Sequence, residues 1–150
     1  MQLKALVGAG DRIMALTLPF AGAGLTANVL WPSAFRMGLG AAGTFLGIAL
    51  VSIGVPIWLT AVGQILRDVP EGKLITSGPF RLMLHPIYTS VALLVIPGCG
   101  LLFDSWLGFA LGAVLYFASR IFAPAEERDL ARGFPEDYPA YRKRVLLPWL

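Results

Sequence analysis

Four stretches of this sequence are long enough to cross a membrane and almost free of charge. They cover about residues 13–30, 38–66, 86–103 and 106–123, and Arg120 is the only acidic or basic residue among them. A helix needs about 20 apolar residues to cross the roughly 30 Å of hydrocarbon in a bilayer. With 57% hydrophobic and 14% charged residues, the chain is also far more apolar than a water-soluble domain. The sequence therefore predicts an all-α integral membrane bundle of about four transmembrane helices.

The basic residues indicate how this bundle is oriented. If there are four crossings, the N-terminus, residues 67–85 and the C-terminal tail share one side, which then holds eleven of the twelve basic residues. These are Lys4, Arg12, Arg67, Lys73, Arg81, Arg120, Arg128, Arg132, Arg142, Lys143 and Arg144. Positive charge marks the cytosolic side, so we expect both termini and a helical C-terminal tail in the cytosol. The net charge of +3 is read as a topology signal, and no nucleic-acid partner is expected.

Two further patterns concern metals and helix packing. His85 is the only histidine and no cysteine is near it in the sequence, so a zinc site of histidine and cysteine ligands is not supported. The GxxxG spacings Gly43 to Gly47 and Gly108 to Gly112 allow helices to approach closely. We expect this packing within the chain, with a homodimer as the alternative.

A first polar group stands before the third apolar stretch. The turn Gly78-Pro79-Phe80-Arg81 leads into His85-Pro86-Ile87-Tyr88. Proline is favoured at the first position of a helix, which makes His85 the expected cap. The amides of Ile87, Tyr88 and Thr89 are then predicted to face outward and attract an anion. The alternative is that His85 only caps the helix at the membrane surface.

Two more polar groups follow the fourth apolar stretch. Glu126 and Glu127 come just after Pro124, either as the first turn of an ordinary new helix or with one carboxylate turned inward to a ligand. In the tail, the residues Tyr138, Tyr141 and Val145 fall on one helical stripe, beside the basic run 142–144. This tail is either an anchor lying on anionic lipid or part of a binding site in which Arg144 clamps an acidic group.

In their order and spacing, these groups resemble the isoprenylcysteine carboxyl methyltransferase and phospholipid methyltransferase superfamily of membrane enzymes. The resemblance covers residues 63–148 and rests on the Gly-Pro-aromatic-Arg turn, the His-Pro-x-Tyr helix start, the Glu-Glu pair and the tail with two tyrosines and a basic run. One position departs from the family pattern: Leu84 stands where an arginine is usual. Either Arg81 supplies that charge or the cofactor is bound more weakly.

The resemblance implies S-adenosylmethionine as methyl donor, S-adenosylhomocysteine as product, and no required metal. The donor would bind at the cytosolic ends of the last two helices, under the tail. The residues implied in cofactor binding are Gly78, Pro79, Arg81, His85, Pro86, Ile87, Tyr88, Glu126 and Glu127. The residues implied in catalysis are Arg144, Glu127 and Tyr141.

The acceptor is expected to be a membrane lipid or another lipophilic molecule. A carboxylate is already nucleophilic at neutral pH, whereas a lipid ammonium must first lose a proton to a base. Arg144 favours the carboxylate and Glu127 could favour the amine. The competing hypothesis is a membrane protein without catalysis: a degenerate family member, a scaffold, or a small transporter subunit. A transporter would normally carry polar residues within its spans.

Overall fold

A computed structural model describes residues 10–150, and every regular element in this range is a helix. Lys4 lies outside the described residues. In chain order the helices are α1 (Gly10–Leu30), α2 (Pro32–Phe35), α3 (Gly40–Asp68), α4 (Pro79–Leu82), α5 (Pro86–Ser90), α6 (Ile96–Leu102), α7 (Leu107–Gly133) and α8 (Asp137–Arg144). Three of them, α1, α3 and α7, are long and apolar enough to cross a membrane. The predicted all-α membrane bundle is confirmed.

The third apolar helix is shorter and irregular. It runs over Pro86–Leu102 and consists of α5, a π-helical turn over Val91–Val95, and α6. At the end of the π turn the amide of Ile96 donates to the carbonyl of Val91, five residues back. The π turn therefore adds one residue to the helix without ending it.

Glycines let the helices pack at short range. A Cβ added to Gly47 would stand 2.8 Å from the carbonyl oxygen of Gly98, and one added to Gly108 would stand 2.5 Å from the Cα of Gly100. A side chain at either position would force the helices apart, because real Cβ atoms do not approach backbone this closely. The expected use of the GxxxG glycines for packing within the chain is confirmed for Gly47 and Gly108.

Helix α7 continues well beyond the predicted apolar stretch. It passes through Pro124 without a break and ends at Gly133. The interpretation of Pro124 as the start of a new helix is therefore wrong. Proline removes one backbone hydrogen bond, but the residues after it are mostly strong helix formers, which carry the helix about two turns further. Glu126 and Glu127 consequently sit on a rigid extension of a membrane helix.

The alternating helices give the bundle two ends. We call the end that carries the start of α1, residues 68–85 and the tail the tail face, and the other end the opposite face. At the opposite face α2 and the connection after it are tied to the connection before α7. Asp104 accepts hydrogen bonds from the Arg36 side chain (3.1 Å) and from the amides of Gly38 (2.9 Å) and Leu39 (3.2 Å). The indole of Trp106 donates to the carbonyl of Ala34.

Candidate active site

The tail helix α8 packs its apolar stripe against the protein. Tyr138, Tyr141 and Val145 are buried together with Leu84 in one cluster on the tail face. The predicted stripe is confirmed, but it faces Leu84 and its neighbours in the bundle. The alternative in which this stripe lies on lipid is therefore wrong for these three residues.

After α8, residues 145–150 form what we call the C-terminal strap, which runs beside residues 81–85. The amide of Leu146 donates to the carbonyl of Arg81 (3.3 Å), and that of Leu147 to the carbonyl of Leu82 (2.9 Å). Further along, the carbonyl oxygen of Leu150 accepts from the amides of Leu84 (2.8 Å) and His85 (3.3 Å). The strap thus fixes the backbone that leads into α5.

Glu127 is the centre of a hydrogen-bond network between three elements. Its Oε1 lies 3.3 Å from Nε2 of His85, and its Oε2 lies 3.4 Å from the hydroxyl of Tyr138 and 3.3 Å from Nε of Arg142. An ionised carboxylate only accepts hydrogen bonds, so the histidine nitrogen is the donor. The network joins the entry of α5, the end of α7 and the tail helix.

This network keeps Glu127 ionised. The hydrogen bond from His85 lowers the pKa of the Glu127 carboxyl, assisted by the charge of Arg142, although partial burial acts in the opposite direction. The Glu127 side chain is only 15% exposed. A carboxylate with a lowered pKa and three partners is a poor proton acceptor but a firm anchor for His85.

Glu126 faces a different space from its neighbour, as adjacent positions on a helix require. It contributes to a small cavity of about 90 Å³ beneath the tail helix. His85, Tyr138 and Tyr141 line the same cavity. The rest of the wall is mostly apolar and consists of Ile65, Val69, Lys73, Leu74, Ile75, Phe80, Leu84 and Leu130. The cavity therefore combines a few polar groups with an apolar lining, as ligand sites usually do.

A larger and more open groove of about 1140 Å³ lies beside this cavity. It holds the predicted site residues Gly78, Arg81, Tyr141 and Arg144. Lys73, Thr76, Ser77 and Asp137 add polar groups, while Leu74, Phe134 and Val145 give it apolar walls. Its cations outnumber its one acidic residue, so the groove favours an anionic group together with an apolar one.

Tyr141 stands between the cavity and the groove, since it lines both. Its hydroxyl donates to the carbonyl of Phe80 at 2.8 Å. Burial raises the pKa of Tyr141 to about 12. The phenol therefore stays protonated at neutral pH and ties the tail helix to α4.

The turn before α4 is held from α3. Gly78 has a φ of +60°, which favours glycine, and a Cβ there would lie 3.1 Å from the side-chain amide of Gln64. The Gln64 amide nitrogen donates to the hydroxyl of Ser77 at 3.1 Å. No local sequence signal connects Gln64 with this turn, because the two meet only in the folded chain.

The structure corrects the predicted anion site at the start of α5 for one of its three amides, that of Thr89. The amide of Thr89 donates to the carbonyl of His85 at 3.0 Å, as the first bond within the helix, so it does not face a ligand. His85 occupies the cap position, but its side chain makes no capping hydrogen bond. Its Nε2 instead donates to the Glu127 carboxylate, a charge-assisted hydrogen bond.

The remaining predicted residues lie around the two spaces rather than on them. Pro79 and Pro86 are buried supports of the backbone, and Ile87 is half-buried. The ring of Tyr88 is 6.2 Å from that of His85, and its hydroxyl approaches Gly10 at the start of α1. None of these four lines the cavity or the groove described above.

Leu84 and Arg81 lie on different sides of the site. Leu84 is buried in the cluster beneath the tail and lines the small cavity, whereas Arg81 lines the groove. Arg81 therefore does not replace, within the cavity, the arginine that the family pattern has at the position of Leu84. Any charge from Arg81 acts on a ligand in the groove.

Residues 35–137, more than half of the chain, match the family model described as PEMT, phospholipid methyltransferase. The chain belongs to this family. The phospholipid methyltransferase family is part of the isoprenylcysteine and phospholipid methyltransferase superfamily. The matched residues include α3, the π turn, the whole of α7 and the turn at Gly78, and they end at the start of the tail helix.

A curated relative is similar over much of the same region. The chain is 34% identical over 119 residues to a cobalt-zinc-cadmium resistance protein, CzcN, of Cupriavidus metallidurans. The similarity covers 77% of this phospholipid methyltransferase family member and 49% of the relative, so the chain spans about half the length of the protein it matches. No solved structure matches the chain. Within residues 10–150, no three or more His, Cys, Asp or Glu residues are grouped to hold a metal ion.

Proposed function

We propose that this protein transfers a methyl group from S-adenosylmethionine to a lipophilic or lipid-anchored acceptor at the tail face of the membrane. The observation that supports this proposal is the cavity at the membrane edge. His85 and Glu126 are on its wall, and the mostly buried carboxylate of Glu127 holds His85. Membership of the phospholipid methyltransferase family supports methyl transfer as the type of reaction.

The polar groups of the cavity suit the methyl donor, but the cavity by itself is too small. A carboxylate such as Glu126 accepts hydrogen bonds from ribose hydroxyls or an ammonium group, and His85 lies beside it. Sites that bury small molecules measure about 300–1,000 Å³, whereas this cavity measures about 90 Å³. The donor therefore needs space on the groove side of Tyr141 as well, and binding moves the tail helix.

The bound donor would supply the methyl group, and the chain would supply alignment and exclusion of water. Glu127 acts as a positioning residue that holds His85 through the hydrogen bond between its carboxylate and Nε2 of the imidazole. Tyr141 separates donor from acceptor, and its phenol is no base at neutral pH. We assign Arg144 and Arg81, which line the groove, to an acidic group of the acceptor.

These assignments bear on the two acceptor chemistries. An amine acceptor needs a base, and Glu127 is not suited to take its proton because the ionised form is stabilised where it stands. A carboxylate acceptor needs no base, and its negative charge suits the cationic groove better than an amine does. We also propose that the tail face is cytosolic, which labelling of a cysteine introduced in the tail would test.

The proposal is tested by donor binding to the purified protein in lipid nanodiscs, measured by calorimetry. We expect the parent to bind S-adenosylmethionine and the variants Glu126→Ala and His85→Ala to bind it at least tenfold more weakly. Asp129→Ala is the matched control, since Asp129 lies one turn further on α7 with an exposed side chain. No binding by the parent, or equal binding by all variants, would contradict the proposal.

Incubation with methyl-labelled donor and a total lipid extract then tests the acceptor. We expect the label in a lipid-soluble product, and we expect Arg144→Gln to reduce labelling more than it reduces donor binding. Label that stays in the donor while the donor binds normally would favour the second candidate, a member of the family without catalysis. Two observations support that candidate. Leu84 stands in place of the usual arginine, and the relative CzcN is named as a resistance protein.

A further inference from the structure

The end of the tail exposes apolar side chains that none of the helices within residues 10–150 covers. The stripe of Tyr138, Tyr141 and Val145 packs against Leu84 and is buried, so it does not contact lipid. Beyond it, Leu146 is 65% exposed and Trp149 is 59% exposed. Exposed side chains of this size on a short strap call for an explanation outside the protein core.

The pairing of the strap brings a third side chain to these two. Leu147 pairs with Met83 in a parallel bridge, and both are half-buried. Leu82 and Leu146 each stand one position before this bridged pair, and the amide of Leu147 donates to the carbonyl of Leu82. Leu82 is 43% exposed. We call Leu82, Leu146 and Trp149 the interfacial patch.

The patch lies at the level where the chain enters lipid. Pro86, the first residue of the third apolar helix, follows the paired segment 81–85 directly. Lys143, an exposed cation that lines neither the cavity nor the groove, stands two positions before the strap. Tryptophan is favoured at the membrane surface, and each basic residue there contributes attraction to anionic lipid.

We infer that the interfacial patch docks into the head-group region of the membrane in which the bundle is embedded, with Lys143 beside anionic lipid phosphates. The apolar side chains bury area in the lipid surface, and the charge of Lys143 complements the leaflet. Because the Leu150 carbonyl of the strap holds the amides of Leu84 and His85, lipid contact also steadies the backbone of the site. The inference needs no methyl transfer and stands apart from the proposed function.

The test measures the depth of Trp149 in nanodiscs of known lipid composition. The emission of Trp149 is obtained as the difference between the parent and Trp149→Phe, a variant that keeps an aromatic ring. The quenchers are aqueous acrylamide and two kinds of brominated lipid. One carries bromine high on the acyl chain, near the head groups, and the other carries it low, near the bilayer centre. We expect strong quenching by the high bromines, weak quenching by the low bromines and by acrylamide, and a stronger effect when phosphatidylglycerol is added to phosphatidylcholine.

A charge variant and a matched tryptophan sharpen the result. Lys143→Gln is expected to lower the ratio of docked to undocked strap about fivefold in anionic nanodiscs, which corresponds to about 1 kcal/mol for one basic residue at such a surface. Trp31 on the opposite face, measured in the same way through Trp31→Phe, is expected not to respond to this variant. Quenching of Trp149 by acrylamide rather than by lipid, or an unchanged ratio in Lys143→Gln, would overturn the inference.

Discussion

The two faces of the bundle each carry one carboxylate that gathers several hydrogen-bond donors. On the opposite face Asp104 accepts from Arg36 and from two amides of the same connection. On the tail face Glu127 accepts from His85 and Tyr138 and forms an ion pair with Arg142, and these partners belong to two different parts of the chain. The number of polar partners is thus similar at the two sites.

What differs is the surroundings. Asp104 joins two short connections, and its charged partner Arg36 has a largely exposed side chain. Glu127 is mostly buried, and its partner His85 lines a cavity. A carboxylate with many donors therefore says little about function until the space beside it is known. We interpret Asp104 as a structural clasp and Glu127 as support for a binding site.

Removing the Glu127 carboxylate should show most clearly that the two faces differ in function. Glu127→Ala leaves the buried His85 without its acceptor and releases Arg142, and the loss of such charged hydrogen bonds amounts to about 2–3 kcal/mol. We expect donor affinity to fall more than tenfold and protease cleavage of the tail to accelerate. Calorimetry and limited proteolysis in nanodiscs measure the two effects. The donor affinity of Glu127→Gln should fall between those of this variant and the parent. Full donor affinity in Glu127→Ala would show that Glu127 does not support the binding site.

The corresponding change on the opposite face should affect stability alone. Asp104→Ala removes three hydrogen bonds, so we expect the free energy of unfolding to fall by about 1–2 kcal/mol, while donor affinity changes less than twofold. Thermal unfolding in detergent and calorimetry provide the measurements. Asp104→Asn should restore much of the stability, because asparagine accepts from the amides and tolerates the φ of +51° at this position. A large loss of donor affinity in Asp104→Ala would show that the two faces are coupled.

A smaller effect is expected from pH. The folded chain lowers the pKa of Glu127 below its ordinary value of 4.5, so the network contributes stability above that value and loses it as the pH falls through the lowered pKa. The carboxylate of Glu127 should therefore hold the tail down to strongly acidic solution, where its protonation weakens docking of the tail. Tail proteolysis by an acid-active protease, compared between the parent and Glu127→Gln, reports this change. The same pH dependence in both proteins would assign it to another group.

Much of the fold follows from the sequence because the membrane restricts the choices. A chain with long uncharged stretches must satisfy its backbone within helices, and α1, α3 and α7 have the required length. The tail stripe of Tyr138, Tyr141 and Val145 was also predictable, since a buried face repeats with the period of the helix. These are local properties, and local periodicity is visible in one sequence.

The parts that escaped prediction depend on contacts between distant residues. His85 and Glu127 are 42 positions apart, and nothing in either local sequence selects the other as partner. Tyr138 was expected only as an apolar position, and Arg142 only as one charge in a basic run, yet both bind Glu127. The strap was missed for the same reason, because its backbone pairs with residues more than sixty positions earlier.

The π turn at Val91–Val95 has a consequence for how the third apolar helix is read. One added residue advances the helix by about 100°. The positions before and after the turn are therefore out of phase, so no single 3.6-residue period assigns the inward positions of both α5 and α6. Deleting one residue here would bring the two halves into phase. Gly98 and Gly100 would then rotate away from Gly47 and Gly108, or His85 would turn away from Glu127.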